Sequence, residues 1–290
     1  MMDQAALLRQ KMQGQVQITC KTIAVVSGKG GVGKSNFTTN FSLALAELKQ
    51  RVLIVDMDLG MGNIHILLGK TARNSLTNYL QGECSIQEII HHDDENLDFI
   101  AGGSGMSSLL RWSDFMFERL IFAFNELQKN YDFILFDMGA GATEWSLQFI
   151  MSVDDVVVVS TTEPTSVTDA YSMMKYIHNK DQDKNFHLIC NRAFSAEEGL
   201  NTLARLKTTM SRFLVKEVSE LGVILEDIHV RKAINQQVPY KRLYPNCVAS
   251  RAISEIAERY LYNDGTQTVQ VVETNQFLSK LKGLFSKGRS

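Results

Sequence analysis

The chain has 290 residues, of which 44% are hydrophobic, and this is enough for one large domain with a substantial buried core. Its formal net charge of −2 argues against general nucleic-acid binding. No apolar stretch approaches the roughly 20 residues that a membrane span needs. The four cysteines contain no C-x-x-C pair, which indicates neither a zinc site nor a redox dithiol and agrees with a reducing cytosol.

The chain begins with a polar, glutamine-rich leader over residues 1–20. This leader shows no signal-peptide pattern. The run from Asp3 to Arg9 has the composition of a short helix at most. From the residues alone, a disordered leader is the favoured interpretation, and no function follows from its composition.

Strand-like and helix-like runs alternate over residues 21–263. Most strand candidates are continuous apolar runs, which are typical of a sheet covered by helices on both faces. The alternation predicts one α/β domain with a mainly parallel sheet and with ligands at the carboxyl ends of the strands. The predicted strands are Thr22–Ser27, Arg51–Asp56, Leu97–Ala101, Phe133–Asp137, Asp155–Ser160, Phe186–Asn191 and Leu221–Leu225.

The first predicted strand runs into the octapeptide Gly-Lys-Gly-Gly-Val-Gly-Lys-Ser, which fits the phosphate-binding pattern G-x-x-x-x-G-K-[ST]. Glycines let the backbone aim successive N–H groups at a phosphate, and the following helix adds its positive dipole end. Lys34 is then the cation for the outer phosphates, and Ser35 is a ligand for Mg²⁺. The predicted nucleotide-binding residues are Gly28, Lys29, Gly30, Gly31, Val32, Gly33, Lys34, Ser35 and Asn36.

Three carboxylates follow predicted strands. Asp56 and Asp58 end the second strand, and Asp137 ends a strand that resembles a Walker B segment. Acids delivered by buried strands are costly unless they meet a cation or water. We therefore predict Mg²⁺ ligation by Ser35, Asp56 and Asp137, and a water-orienting role for Asp58. For Asp56 the alternative is support of the strand end. The alternatives are a turn or helix-capping role for Asp58 and an ordinary strand-end acid at Asp137.

Lys29 is a second lysine that an ordinary phosphate loop does not need. With it, the octapeptide resembles the signature K-G-G-x-G-K-[ST] of the MinD/ParA family of deviant P-loop ATPases. The resemblance implies an ATPase that forms a homodimer with ATP, in which Lys29 crosses the interface to a phosphate in trans. It also implies catalytic roles for Lys29, Lys34, Asp58 and Asp137. The family often has Pro where Gly139 stands, between Asp137 and Gly141.

The base is predicted to be adenine. The guanine motif [NT]-K-x-D is matched only imperfectly by Asn179-Lys-Asp-Gln182, which follows a helix-like run. In the resembled family, an Asn at the position of Asn191 hydrogen-bonds adenine and the next residue, here Arg192, helps to cover the base. Backbone groups near Glu226 and Asp227 would complete that pocket. The alternative for Asn191 is a plain turn residue.

Two further segments leave open alternatives. Glu163, in Thr161–Ser166, is either a cross-subunit contact, as in a comparable loop of the resembled family, or a helix-start acid. The run His91-His-Asp-Asp94 has no ligand-spaced partner, so we predict a solvated loop rather than a metal site.

Residues 264–290 are predicted to form a linker and a basic amphipathic helix over 274–287. Its apolar stripe suits a membrane surface, and no acid follows Glu273. The alternative is a helix that docks on the domain, and the two roles are compatible if it docks in the monomer and is released in the dimer. The stripe consists of Phe277, Leu278, Leu281, Leu284 and Phe285.

The leader pattern D-Q-A-x-x-L-R and the basic tail narrow the resemblance to a branch of the family that sets flagellar number and placement. There the leader contacts a signal-recognition-particle-type GTPase, FlhF, and stimulates its GTP hydrolysis. This implies partner-binding roles for Asp3, Gln4, Ala5 and Arg9. It also implies a cytoplasmic protein that is peripheral on the inner face of the bacterial membrane, with flagellar switch-complex proteins as further partners and no specific nucleic acid.

Two regulatory alternatives remain open within the same family. One is a ParA-type DNA-partitioning ATPase, which basic patches on the globular domain would favour. The other is a MinD-type regulator of the cell-division site. An iron–sulfur carrier is disfavoured because neither C-x-x-C nor C-P-C occurs.

Overall fold

The computed structural model describes residues 20–60, 62–94, 96–103, 113–139, 144–263 and 276–286. Strands and helices alternate along these ranges, as the apolar runs predict. The strands are β1 (Lys21–Val26), β2 (Val52–Asp56), β3 (His91–Asp94), β4 (Leu97–Ile100), β5 (Phe133–Asp137), β6 (Asp155–Ser160), β7 (Asn185–Ala193) and β8 (Ser219–Leu225).

The helices lie between the strands and after β8, with a short 3₁₀ turn at Gln87–Ile89. The helices are α1 (Lys34–Glu47), α2 (Ile64–Leu67), α3 (Leu76–Gln81), α4 (Asp114–Leu127), α5 (Glu144–Ser152), α6 (Pro164–Lys180), α7 (Ala196–Leu214), α8 (Ile228–Asn235), α9 (Tyr240–Leu243), α10 (Val248–Asn263) and α11 (Gln276–Ser286). None of the helices that the structure describes is long and apolar enough to cross a membrane.

The eight strands form one sheet in the order β3-β4-β2-β5-β1-β6-β7-β8. Every neighbouring pair is parallel except β3 and β4. The predicted mainly parallel α/β fold is therefore confirmed. Asp56 at the end of β2 is paired in register with Asp137 at the end of β5, so two predicted site carboxylates are neighbours on one edge.

Each of the seven predicted strands is present, with ends that differ by at most two residues. The prediction of a solvated loop at His91–Asp94 is wrong, because this segment is the antiparallel edge strand β3. Arg242 donates a hydrogen bond to Asp93, whose side chain is fully enclosed, and Lys70 lies 3.5 Å from the same carboxylate. These ion pairs contact a polar strand. Its sequence lacks the alternating apolar residues from which a strand is predicted. Among the described residues, no group of three or more His, Cys, Asp or Glu is arranged to hold a metal ion.

One face of the sheet is covered by α1 and α10. Phe37 and Phe41 of α1 stack with ring centroids 5.2 Å apart, and Tyr260 of α10 packs edge-on against Phe41 at 5.7 Å. All three rings are buried. This packing fixes the first helix after the glycine loop, and so fixes the position of the loop itself.

The opposite face is covered in part by α11. Phe277 is 2% exposed and its ring packs against Phe124, Phe136 and Phe149 at centroid distances of 5.6, 5.8 and 6.0 Å. Leu278 and Leu281 lie in the same core cluster, whereas the side chains of Leu284 and Phe285 are outside the described residues. The docked alternative therefore describes this conformation. In it, Phe277, Leu278 and Leu281 cannot face a membrane.

Candidate functional site

The glycine loop connects β1 to α1 at the carboxyl edge of the sheet. Gly31 and Gly33 have φ values of 81° and 89°, left-handed conformations that favour glycine. At Gly28 the constraint is a close approach instead, since a Cβ there would lie 2.2 Å from the carbonyl carbon of Asp169 in α6. These three glycines let the backbone turn tightly and begin α1 at Lys34.

Lys34 and Asp137 come together beside the loop. The Lys34 Nζ lies 3.1 Å from the Asp137 Oδ1, and the two side chains are only 10% and 2% exposed. The Thr38 hydroxyl lies 3.1 Å from the same carboxylate oxygen. Sequence reasoning did not single out Thr38, although its place one helical turn after Lys34 puts it on the same face of α1. The predicted cation and the predicted Mg²⁺ ligand thus share one site.

Asp56 is fully buried next to Asp137. Its two carboxylate oxygens accept hydrogen bonds from the backbone N–H groups of Asp58 and Ile64, at 3.1 and 3.2 Å. Burial, followed by the charge of Asp137, raises the pKa of Asp56 to about 7. A nearby cation would stabilise the charged form of this carboxylate.

Asp58 lies on the loop that follows β2. Its Oδ1 accepts a hydrogen bond from the Gly60 N–H at 3.3 Å. Its carboxyl group faces Gly139, where a Cβ would stand 3.5 Å from the Asp58 Cγ. The carboxylate predicted to orient water therefore lies against the segment that follows Asp137. Gly141, the other glycine predicted there, is outside the described residues.

Asn191 and Arg192 reach the glycine loop from β7. The Asn191 Nδ2 donates a hydrogen bond of 2.8 Å to the Val32 carbonyl. The Arg192 guanidinium pairs with Glu226 at 2.8 Å. Three of the four residues predicted for the base pocket thus lie together. Asn191 and Arg192 also contact the backbone of the glycine loop, which the sequence did not predict.

Asp227 has a different task from the other three. It caps α8 by accepting a hydrogen bond from the His229 N–H at 2.9 Å, and it also accepts one from the Ala249 N–H at 3.2 Å. Burial acts to raise its pKa, but these backbone donors lower the pKa of Asp227 to about 2. Its side chain joins α8 to α10, so only its backbone is free for the predicted pocket.

Lys29 has partners within its own chain. Its Nζ lies 2.5 Å from Glu163 Oε2 and 3.2 Å from Thr165 Oγ1. The Lys29 cation lowers the pKa of Glu163. Glu163 immediately precedes α6, but its side chain makes no capping hydrogen bond. Glu163 is therefore an acid at the start of α6, as the helix-start alternative predicts, and its side chain, which is 62% exposed, pairs with Lys29 of the same chain.

The other predicted residues lie partly in α1 and partly outside the described residues. Ser35 and Asn36 lie in the first turn of α1, where the Asn36 Oδ1 accepts a hydrogen bond from Asn40 at 2.8 Å. The imperfect guanine motif lies at the end of α6, as its helix-like context predicts. The predicted partner-binding residues Asp3, Gln4, Ala5 and Arg9 lie outside the described residues.

A family model described as an AAA domain matches residues 20–190. The chain is 34% identical over 239 residues to the antiactivator FleN of Pseudomonas aeruginosa, covering 82% of this chain and 85% of FleN. It belongs to the FlhG-type (FleN/YlxH) branch of the MinD/ParA ATPases. The flagellum site-determining protein YlxH of Helicobacter pylori is 32% identical over 244 residues, with 82% and 80% of the two chains covered.

A solved structure shares the fold of this MinD/ParA chain. The septum site-determining protein MinD of Pyrococcus horikoshii, complexed with Mg-ADP, has a TM-score of 0.69 and 26% identity. The match covers 86% of this chain and 99% of that one. The resemblance read from the octapeptide and the strand-end carboxylates is therefore confirmed.

Proposed function

We propose that this chain is a Mg²⁺-dependent ATPase switch that controls flagellar number or placement. The observation that carries the proposal is that Lys34, at the end of the glycine loop, contacts Asp137, while Asp58 lies against Gly139 in the segment that follows Asp137. The flagellar role is supported by the similarity of the chain to the antiactivator FleN and to the flagellum site-determining protein YlxH.

The residues present fit a nucleotide with Mg²⁺. The loop glycines leave no room for side chains where the backbone passes α6 and Asn191, and Lys34 supplies a cation at the start of α1. The Ser35 hydroxyl and the carboxylates of Asp137 and Asp56 are the hard oxygen donors that Mg²⁺ prefers. When bound, Mg²⁺ neutralises the charge that develops on the outer phosphates.

Hydrolysis requires a group that orients the attacking water. Asp58 is suited to this because its carboxylate is an acceptor placed beyond β2, in contact distance of Gly139. Lys34 would hold the outer phosphates, and Asp137 and Ser35 would hold the metal. The switch follows if the segments of Asp58 and Gly139 rearrange together when the nucleotide changes.

Dimerisation by ATP depends on Lys29. In the single chain this lysine contacts Glu163 and Thr165, and an exposed ion pair of that kind contributes little to stability. Exchange of these partners for a phosphate of the facing subunit is therefore inexpensive. The Lys29 side chain is 34% exposed, so it is accessible to a second copy of the chain.

Membrane association depends on release of α11, because its described apolar residues are in the core. A polar contact among the described residues also holds it there, since Lys280 lies 3.5 Å from Asp181, the residue that follows α6. Asp181 is shared with the buried Lys184, also at 3.5 Å. A dimer carrying two released helices would bind a vesicle more tightly than one copy through effective concentration.

Asp181→Asn tests this release, since it removes the carboxylate that Lys280 contacts. We expect it to raise the fraction of ATP-bound protein that floats with anionic vesicles by about two- to fivefold, the effect of losing one partly exposed ion pair. The matched control is Asp183→Asn, which makes the same charge change at an exposed side chain. Flotation should require ATP and residues 274–290. Equal flotation of both variants would contradict a role for Asp181 in docking.

Sizing chromatography of the same samples tests the switch itself. The expected result is a dimer with ATP and a monomer with ADP or without nucleotide. ATP-dependent retention on DNA that weakens with salt would instead favour the ParA-type alternative.

Stimulation of an FlhF-type GTPase rests on the D-Q-A pattern of the leader. Deletion of residues 1–12 should abolish this stimulation and spare ATP hydrolysis, because the leader precedes β1 and the whole glycine loop. The measurement is GTP hydrolysis by the partner with the full-length and the shortened chain. Full stimulation by the shortened chain would place the activating segment elsewhere.

A further inference from the structure

β7 ends in an irregularity beside the glycine loop. Its register with β8 shifts between Asn191 and Ala193. The residue between them, Arg192, has a φ of 58°, a left-handed conformation that is unfavourable for a non-glycine residue. Bulges of this kind re-aim side chains near functional sites, and such a conformation persists only where its surroundings hold it.

The bulge aims two consecutive side chains at the loop backbone. Asn191 donates to the Val32 carbonyl at 2.8 Å, and a Cβ at Gly33 would stand 2.5 Å from the same amide nitrogen. Arg192 brings its guanidinium to 3.5 Å from the Gly31 carbonyl while Glu226 holds it. Glu226 is itself tied to β7, because its N–H donates to the Ala193 carbonyl at 2.9 Å.

These contacts determine where the loop N–H groups point. In a planar trans peptide unit, the C=O and the N–H point in opposite directions. The Val32 carbonyl and the Gly33 N–H belong to one such unit. A side chain that holds the Val32 carbonyl therefore turns the Gly33 N–H away from β7. The same argument relates the Gly31 carbonyl to the Val32 N–H.

We propose that Asn191 and Arg192 are positioning residues for the phosphate loop, which hold its carbonyls on one side so that its N–H groups face the phosphates on the other. This role rests on the proposed nucleotide binding and is separate from a contact with the base. It explains why an asparagine and a strained arginine stand together at the end of β7. Asn191 contributes more to this positioning than Arg192 does, because its hydrogen bond to the carbonyl of the buried residue Val32 is shorter.

A ligand without a base separates the two roles. The probe is magnesium tripolyphosphate, which displaces a fluorescent ATP analogue from the full-length chain. We expect Asn191→Ala to lower the affinities for ATP and for tripolyphosphate by the same factor of about five, the effect of losing one hydrogen bond. The KM for ATP should rise with kcat unchanged, because phosphate contacts are made in both the ground state and the transition state.

Arg192→Gly is the second variant, and it is designed to fold. Glycine adopts a φ of 58° without strain, and the Arg192 side chain is 53% exposed, so little packing is lost. We expect this variant to bind both ligands with a two- to threefold lower affinity. A variant that merely lost folded protein would lower the apparent kcat and leave both affinities unchanged.

The outcomes are distinct. An equal loss of affinity for both ligands supports the positioning role. A loss for ATP that exceeds the loss for tripolyphosphate by more than threefold assigns Asn191 to the base and overturns the proposal, as does unchanged binding of both. A wild-type chain that binds neither ligand would overturn the proposed function, and this inference with it.

Discussion

Alanine at position 58 is expected to lower the ATP turnover number by about 10²–10³-fold, in the range of a lost catalytic base. Asp58 is the acceptor at the end of β2 that faces Gly139, and alanine offers nothing to orient a water. ATP binding should persist, because Lys34 and the loop glycines do not depend on this side chain. The variant should therefore accumulate as an ATP-bound dimer, seen by phosphate release and by sizing chromatography.

Asp58→Asn distinguishes catalysis from a turn-forming role. Asparagine keeps an oxygen that can accept the hydrogen bond from the Gly60 N–H, so the loop after β2 should retain its shape. It loses the charge that strengthens the interaction with water. Slow hydrolysis by both variants is expected. Normal hydrolysis by the asparagine variant would leave Asp58 with a structural role only.

The sequence was sufficient for the sheet and the loop because both depend on local patterns. Continuous apolar runs marked β1, β2 and the other buried strands, and the octapeptide marked the turn that only glycines allow at positions 31 and 33. β3 was missed for the converse reason. Its four residues are two His and two Asp, without an apolar pattern. The ion pairs of Asp93 with Lys70 and Arg242 join residues that are distant in the sequence.

Contacts between residues that are distant in the sequence could not be predicted from it. Asn191 and Val32 are 159 positions apart, and only the packing of β7 beside the loop brings them together. The prediction for Asp227 concerned its backbone, and the sequence did not show that its side chain caps α8. Spacing identifies residues at the correct edge of a sheet but does not show which way each side chain turns.

The tail shows a different limit. The apolar stripe that includes Phe277 and Leu281 has the same spacing whether it meets a lipid surface or a protein core. The structure adds the partner, an aromatic cluster that includes Phe124, Phe136 and Phe149. The docked helix is the conformation that the structure shows, and anchoring of the released helix on a membrane is the proposal that Asp181→Asn tests.

Lys29→Ala should abolish ATP-dependent dimers while ATP affinity changes by no more than about threefold. Within one chain, the phosphates would be met by Lys34 and the loop backbone, whereas the Lys29 side chain turns toward Glu163. A desolvated lysine–phosphate contact at each of two equivalent sites is a large part of a dimer's binding energy. The measurements are analogue titration for affinity and sizing chromatography with ATP for dimerisation.

Glu163→Gln is the matched control for that experiment, because it breaks the same in-chain ion pair and leaves Lys29 in place. If loss of the pair alone caused the defect, both variants would remain monomeric with ATP. We expect the glutamine variant to dimerise, since its freed lysine can reach a phosphate of the facing subunit. Dimers of the alanine variant would contradict the trans role of Lys29. A monomeric glutamine variant would trace dimerisation to Glu163 itself.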